Sequence, residues 1–187
     1  KSPKADSFIV PKKPLNLLKN ALPDNDDEIT ISYNSNHMFV SHGDVKMICR
    51  LIDARFPDYK VVIPSDNPYK LIVGKNDFQG ALRRVSVFSN KSTNQVALSI
   101  SGSELQMAAQ DIDFSFEGNE RMNCQYDGED LQIAFNAKFL IEMLNAADTD
   151  EVKVELSTPT KAGIIKPVEQ PEGEDLLMLV MPLMLNT

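Results

Sequence analysis

One segment of mixed strand and helix character occurs three times in this 187-residue chain. A repeat of that kind constrains architecture more than any short motif can. Phe8 to Leu22 reads FIVPKKPLNLLKNAL, Leu71 to Val85 reads LIVGKNDFQGALRRV, and Ile133 to Ala147 reads IAFNAKFLIEMLNAA, with starts 63 and 62 residues apart. Each copy opens with three apolar, mostly strand-forming residues and breaks at Pro11, Gly74 or Asn136. Apolar residues at helical spacing follow. They are Leu15, Leu18 and Leu22 in the first copy, Phe78, Ala81, Leu82 and Val85 in the second, and Phe139, Leu140, Met143 and Leu144 in the third. Such stripes predict amphipathic helices lying on a sheet, over about 11–22, 74–88 and 136–147.

After each helix the hydrophobic period changes to two, the signature of half-buried antiparallel strands. The strands are EITISY, HMFVSH and DVKMICRLID in the first unit. The second has QVALSIS, ELQMAAQ and a run from Asp113 to Tyr126 expected to break near Gly118 and Asn119. The third has EVKVELS, KAGIIKP and DLLMLVMPLML. Each unit is therefore strand, helix, then three strands, an α+β pattern. A unit of roughly 60 residues with one helix is too small to bury a full core, so units are expected to pair.

Composition narrows the function classes. With 27 acids against 19 bases the formal charge is −8, which disfavours indiscriminate binding to DNA or membranes and requires any basic surface to be local. No apolar run approaches a membrane span, and the first residues lack a signal-peptide core, so a cytoplasmic chain with no membrane partner is expected. Lys1 to Ser7 carry no initiator Met or cap, as expected of a chain cut from something longer. Cys49 and Cys124 stand in apolar alternating stretches, the setting of free buried thiols. His37 and His42, five apart beside Asp44, point to opposite strand faces and read as surface polar residues, not a metal site. No histidine is placed to activate a nucleophile, phosphate-loop patterns are absent, and SGSE at Ser101 to Glu104 reads as a strand-to-strand turn. No catalytic residue, metal or cofactor is expected.

Two further segments carry a family resemblance. LIDARFPDY, Leu51 to Tyr59, closely resembles the linker between the middle and last domains of bacterial DNA polymerase III beta subunits, and VMPLML, Val180 to Leu185, resembles their closing sequence. The resemblance covers essentially the whole chain. It departs at Met184, where the family commonly has arginine, and at Asn186 and Thr187, which extend past the usual end. It implies the DNA clamp fold, in which paired units form curved antiparallel sheets with helices on the concave face. The implied divisions are 1–54 as the second half of a middle domain, 55–67 as a linker and 68–187 as a C-terminal domain. Within the linker, Asp53, Arg55 and Asp58 are expected to form ion pairs, with Phe56 and Pro57 packed between domains.

The implied function is that of a sliding clamp, a processivity factor without its own active site. The parent ring encircles double-stranded DNA independently of sequence and tethers the DNA polymerase III alpha subunit, clamp loader and other clamp-binding proteins. A duplex-facing lining must be basic, and the three helices carry Lys12, Lys13, Lys19, Lys75, Arg83, Arg84 and Lys138 against Asp77 and Glu142, a net +5 in a chain of −8. These bases are expected to face DNA as sequence-independent phosphate contacts. The resemblance places Pro57, Val62, Asn136, Phe139, Thr160, Leu179, Met181, Pro182 and Leu183 around a pocket for partner peptides. It places Val87 and Phe88, with Asp113 and Glu117, at the head-to-tail contact of the full-length homodimer ring. Three units supply one of the two ring surfaces, so this chain alone is expected to be monomeric. The competing readings are an α+β protein-interaction module unrelated to DNA and an enzyme whose site spans subunits.

Overall fold

The computed structural model describes residues 5–23 and 25–185, so Lys1, Asn186 and Thr187 lie outside the described residues. The chain separates into two compact units, Lys1–Asp58 and Tyr59–Thr187.

The first unit holds α1 (Lys12–Ala21), followed by β1 (Thr30–Tyr33), β2 (His37–His42) and β3 (Val45–Arg50) in a sheet of order β1-β2-β3. Pro11 and Pro14 bracket the first helical turn, where a missing N–H costs nothing. The expected opening strand Phe8–Val10 is reduced to one antiparallel bridge, Ile9 with Ile52. The core is small: Met38, Val40, Cys49 and Leu51, with Val10, Leu18 and Met47 partly buried against it. Leu15, expected in the buried stripe of its helix, is 46% exposed, and no residue of α1 is buried.

The second unit contains two repeats. A single 3-10 turn, Tyr59–Val62, precedes β4 (Tyr69–Gly74), α2 (Lys75–Ser86), β5 (Gln95–Ser101), β6 (Glu104–Asp111), β7 (Phe116–Asn123) and β8 (Gln125–Asp127). Then come β9 (Leu131–Asn136), α3 (Ala137–Ala146), β10 (Glu151–Leu156), β11 (Gly163–Pro167) and β12 (Met178–Val180). The strands form one sheet of order β12-β11-β10-β4-β8 and another of order β7-β6-β5-β9. Each repeat therefore lends its opening strand to the other repeat's sheet: β4 pairs with β10 and β9 pairs with β5. That exchange makes one core from two halves, with Phe78, Leu82, Leu140 and Leu144 of the helices packed among Leu71, Leu98, Phe135 and Val154.

Two boundaries and one helix face differ from the sequence reading. The run from Asp113 to Tyr126 does not break at Gly118 and Asn119, which pair in register with Ala109 and Ala108; the break falls at Cys124. Glycine is used at 118 for close approach, because a Cβ there would lie 2.2 Å from Cδ2 of the Phe88 ring. The apolar segment DLLMLVMPLML supplies only the short β12, and after Pro182 the Leu183 N–H bonds the Ala134 carbonyl at 2.8 Å, so pairing resumes beyond the proline. In α3 the inward residues are Ala137, Leu140 and Leu144, while Phe139 turns outward. The SGSE turn is a two-residue hairpin with Gly102 at φ +55°.

Both cysteines are free, Cys49 buried and Cys124 half-buried. Among the described residues no helix is long and apolar enough to cross a membrane, and no cluster of His, Cys, Asp or Glu could hold a metal ion.

Candidate nucleic-acid and partner interface

The helix bases fall into two groups. Lys12, Lys13 and Lys19 on α1 and Lys138 on α3 are exposed. Arg83 is exposed on α2, with Nη2 3.5 Å from the Asn145 side-chain oxygen. Lys75 is half-buried and donates its ammonium to the Ala147 carbonyl at 3.0 Å, beside the end of α3. Arg84 donates Nε to Glu120 Oε2 at 3.0 Å and Nη2 to the other carboxylate oxygen, a two-point pair joining α2 to β7. The hydrogen bond from Arg84 holds the Glu120 carboxyl below its ordinary range, and the same bond raises Arg84. Sequence-based counting could not single out Lys75 and the exposed Arg84 as the bases bonded to Ala147 and Glu120, because those partners lie far off in sequence.

The residues expected at a peptide pocket are not all on one element. Asn136 caps α3: its side-chain oxygen accepts from the N–H groups of Lys138 at 3.0 Å and Phe139 at 3.4 Å, and its amide donates to the Thr93 carbonyl. That cap fixes the first turn from which Phe139 projects, 54% exposed. Leu179 sits opposite Ile164 on β12 at the edge of the five-stranded sheet. Met181 is 61% exposed, Pro182 and Leu183 are half-buried, and the Leu183 bridge to Ala134 carries the terminal segment onto β9, two residues before Asn136. Asn136, Phe139 and Leu179 to Leu183 are thus brought into one neighbourhood. Val62 closes the 3-10 turn and Thr160 lies in the turn between β10 and β11, both exposed. Pro57 is an exposed residue of the first unit. A cleft of about 730 Å³ lies elsewhere, between Lys75, Asp148 to Glu151 and Val168 to Pro171.

At the end of α2, Val87 is 64% exposed and the Phe88 ring lies over Gly118. Asp113 is turned back into its own loop, its N–H bonding the Asp111 carboxylate and its carboxylate accepting from Asn90. Glu117 is exposed on β7, opposite Gln110. Sequence reasoning missed Ile112, Phe114 and Phe116, which are 73, 67 and 54% exposed, with the two phenyl rings stacked 6.1 Å apart. Strand periodicity does not flag them, because Ile112 and Phe114 stand in the turn between β6 and β7.

A family model described as the DNA polymerase III beta subunit, C-terminal domain, matches residues 60–183, and one for the central domain of the same subunit matches residues 1–58. The chain belongs to the DNA polymerase III beta-subunit family. Among curated relatives, the beta sliding clamps of Staphylococcus epidermidis and Pseudomonas aeruginosa are each 29% identical over 178 residues, 95% of this chain. The chain spans about half the length of those relatives, 46% and 47%.

Solved beta-subunit structures share the fold. A DnaN sliding clamp from P. aeruginosa bound to griselimycin superposes with a TM-score of 0.88 at 26% identity, covering 95% of this chain and 47% of that one. The DNA polymerase III beta subunit of Thermotoga maritima gives 0.85 at 30% identity, covering 96% and 48%. The chain therefore has the α+β architecture of the beta-subunit clamps.

Proposed function

We propose that this chain is part of a DNA sliding clamp, in which residues 1–54 are the second half of a central domain, 55–67 a linker and 68–187 a C-terminal domain. The observation that carries the reading is the match of central and C-terminal beta-subunit models in order along 1–58 and 60–183. The parent ring encircles duplex DNA and tethers a replicative polymerase, a cytoplasmic processivity function with no chemistry of its own. The exposed cations Lys12, Lys13, Lys19, Arg83 and Lys138 hold the phosphate backbone through charge alone, which tolerates any sequence. Lys75 and Arg84 contribute less, because their charges are committed to Ala147 and Glu120.

The surface formed by Phe139 and Leu179 to Leu183 takes an extended peptide from polymerase, clamp loader or another clamp-binding protein. Its adaptable Met181 and aliphatic rim support this use. Val87 and Phe88, with Ile112, Phe114 and Phe116 from sequence-distant elements of the same unit, form the ring-closing surface. The complementary surface belongs to a part of the parent outside this sequence.

Fluorescence anisotropy with two duplexes of unrelated sequence tests the DNA reading. Both are expected to bind weakly and equally, with log affinity falling linearly against log salt. Changing Lys12, Lys13, Arg83 and Lys138 together to alanine should flatten that slope by about 0.9 for each phosphate no longer neutralised. Undiminished binding by that variant, or preference for one duplex, would overturn it.

A further inference from the structure

The methionines of the second unit fall into two classes. Met107 is fully buried, and Met122, Met143 and Met178 pack partly buried against the core. Met181 and Met184 are 61 and 75% exposed, and among the described residues no other methionine is exposed. Their placement is fixed from within the unit. Val180 pairs with Gly163 on β11, and the Leu183 N–H donates to the Ala134 carbonyl on β9. Met181 and Pro182 are therefore strung between the two sheets and tied at both ends. Proline between the anchors has no N–H to pair and a fixed φ, which keeps this stretch from closing into either sheet.

A thioether takes an oxygen atom from a peroxide, and access to solvent sets which methionine reacts first. A surface that receives a partner peptide must stay open to solvent until the peptide arrives, so its methionine is open to peroxide as well. The free thiols are weaker competitors. Cys49 is buried, and Cys124 is half-buried with its thiol pushed up by burial, so little of the reactive thiolate forms at neutral pH.

We propose that Met181 is a modification site, whose reversible oxidation to the sulfoxide turns the partner surface from apolar to polar and releases the peptide. The proposal rests on the peptide reading above. In the forward step the sulfur lone pair attacks one oxygen of hydrogen peroxide. The S–O bond forms as the O–O bond breaks, and the second oxygen leaves as water after proton transfer, so sulfur loses the two electrons that peroxide gains. In the reverse step two thiols of a reductant supply two electrons and two protons, the oxygen leaves as water and the thiols join as a disulfide. The sulfoxide oxygen is a hydrogen-bond acceptor, and an apolar peptide anchor laid over it strips its water without replacing the bond. The fold survives the change, because Met181 lies outside the buried core that Met107 helps to fill. Met184 is the internal comparison, since it is equally open but lies past the surface formed by Phe139 and Leu179 to Leu183.

Peroxide treatment of the full chain, with oxidised positions mapped by mass spectrometry, tests the site. Calorimetric titration with an acetylated hexapeptide bearing leucine and phenylalanine anchors tests its consequence. Met181 and Met184 should each gain one oxygen before Met107, Met122, Met143 or Met178, with no change in melting temperature. The peptide dissociation constant should rise about tenfold, and a methionine sulfoxide reductase with dithiothreitol should restore it. Bound peptide should slow oxidation at Met181 more than at Met184. Whatever its own affinity, Met181→Leu should bind equally before and after peroxide, whereas Met184→Leu should keep the loss. Oxidation of a core methionine first, undiminished affinity with Met181 oxidised, or a loss that persists in Met181→Leu would each overturn the proposal. An untreated chain that does not bind the hexapeptide would overturn the peptide reading and the switch with it, while the order of oxidation would still judge the modification site.

Discussion

The two units are written in the same pattern and end in different physical states. In the second, two repeats exchange opening strands, and the helical stripe of each is sealed against a shared core. In the first, a single repeat carries the same sequence pattern, yet its opening strand is one bridge, no residue of its helix is fully buried and its buried core is four residues. The comparison teaches that the repeat's apolar pattern encodes a half-interface. Burial arrives only when a sister repeat supplies the other half, as expected for a unit too small to outweigh its own conformational entropy.

The sharpest way to break that comparison is to truncate the equivalent helix residue in each unit. Phe78→Ala should cost the second unit about 3–5 kcal/mol, because a fully buried ring leaves a cavity. Leu15→Ala, about half exposed, should cost the monomeric first unit under roughly 1 kcal/mol. Denaturant unfolding followed by probes in each unit measures both, and comparable losses would show that the first unit is not an open half.

A smaller effect is expected at Gly118, where the Phe88 ring occupies the space a Cβ would need. Gly118→Ala should displace the ring and destabilise the second unit by about 1–3 kcal/mol. Phe88→Ala in the same background should relieve part of that loss, which a double-mutant cycle reads directly. Additive losses would mean that ring and glycine do not touch.

The smallest effect is electrostatic. Glu120 titrates lower in the folded chain than in the unfolded one because Arg84 bonds its charged form. Its stabilisation is therefore complete above the unfolded carboxylate pKa and is lost as pH falls through the depressed folded value. Arg84→Ala should flatten the acid limb of the stability profile of the second unit, while Arg83→Ala should leave it unchanged. The pair is largely exposed, so the change should be modest and should shrink in salt.

Much of this is legible in the chain. The three helices stand within a residue or two of where the spacing of Leu15, Phe78 and Leu140 puts them, and the break residues Pro11, Gly74 and Asn136 are their N-caps. The three large apolar residues in DIDFSF escape a reading by period, because Ile112 and Phe114 lie in the turn between β6 and β7, where strand alternation does not apply. Phe139 has the spacing of a buried stripe whose place Ala137 takes instead.

Sequence alone determined the element order, the number of repeats and the family, because periodicity, turn residues and the linker and terminal motifs are local properties of the chain. Tertiary structure alone decided which strand joins which sheet, that β7 runs unbroken past Gly118, that Leu183 bonds Ala134, and that Lys75 and Arg84 spend their charge within the protein. Those outcomes depend on groups brought together from tens of residues away. A pattern of side chains states which face seeks a partner but not which partner reaches it.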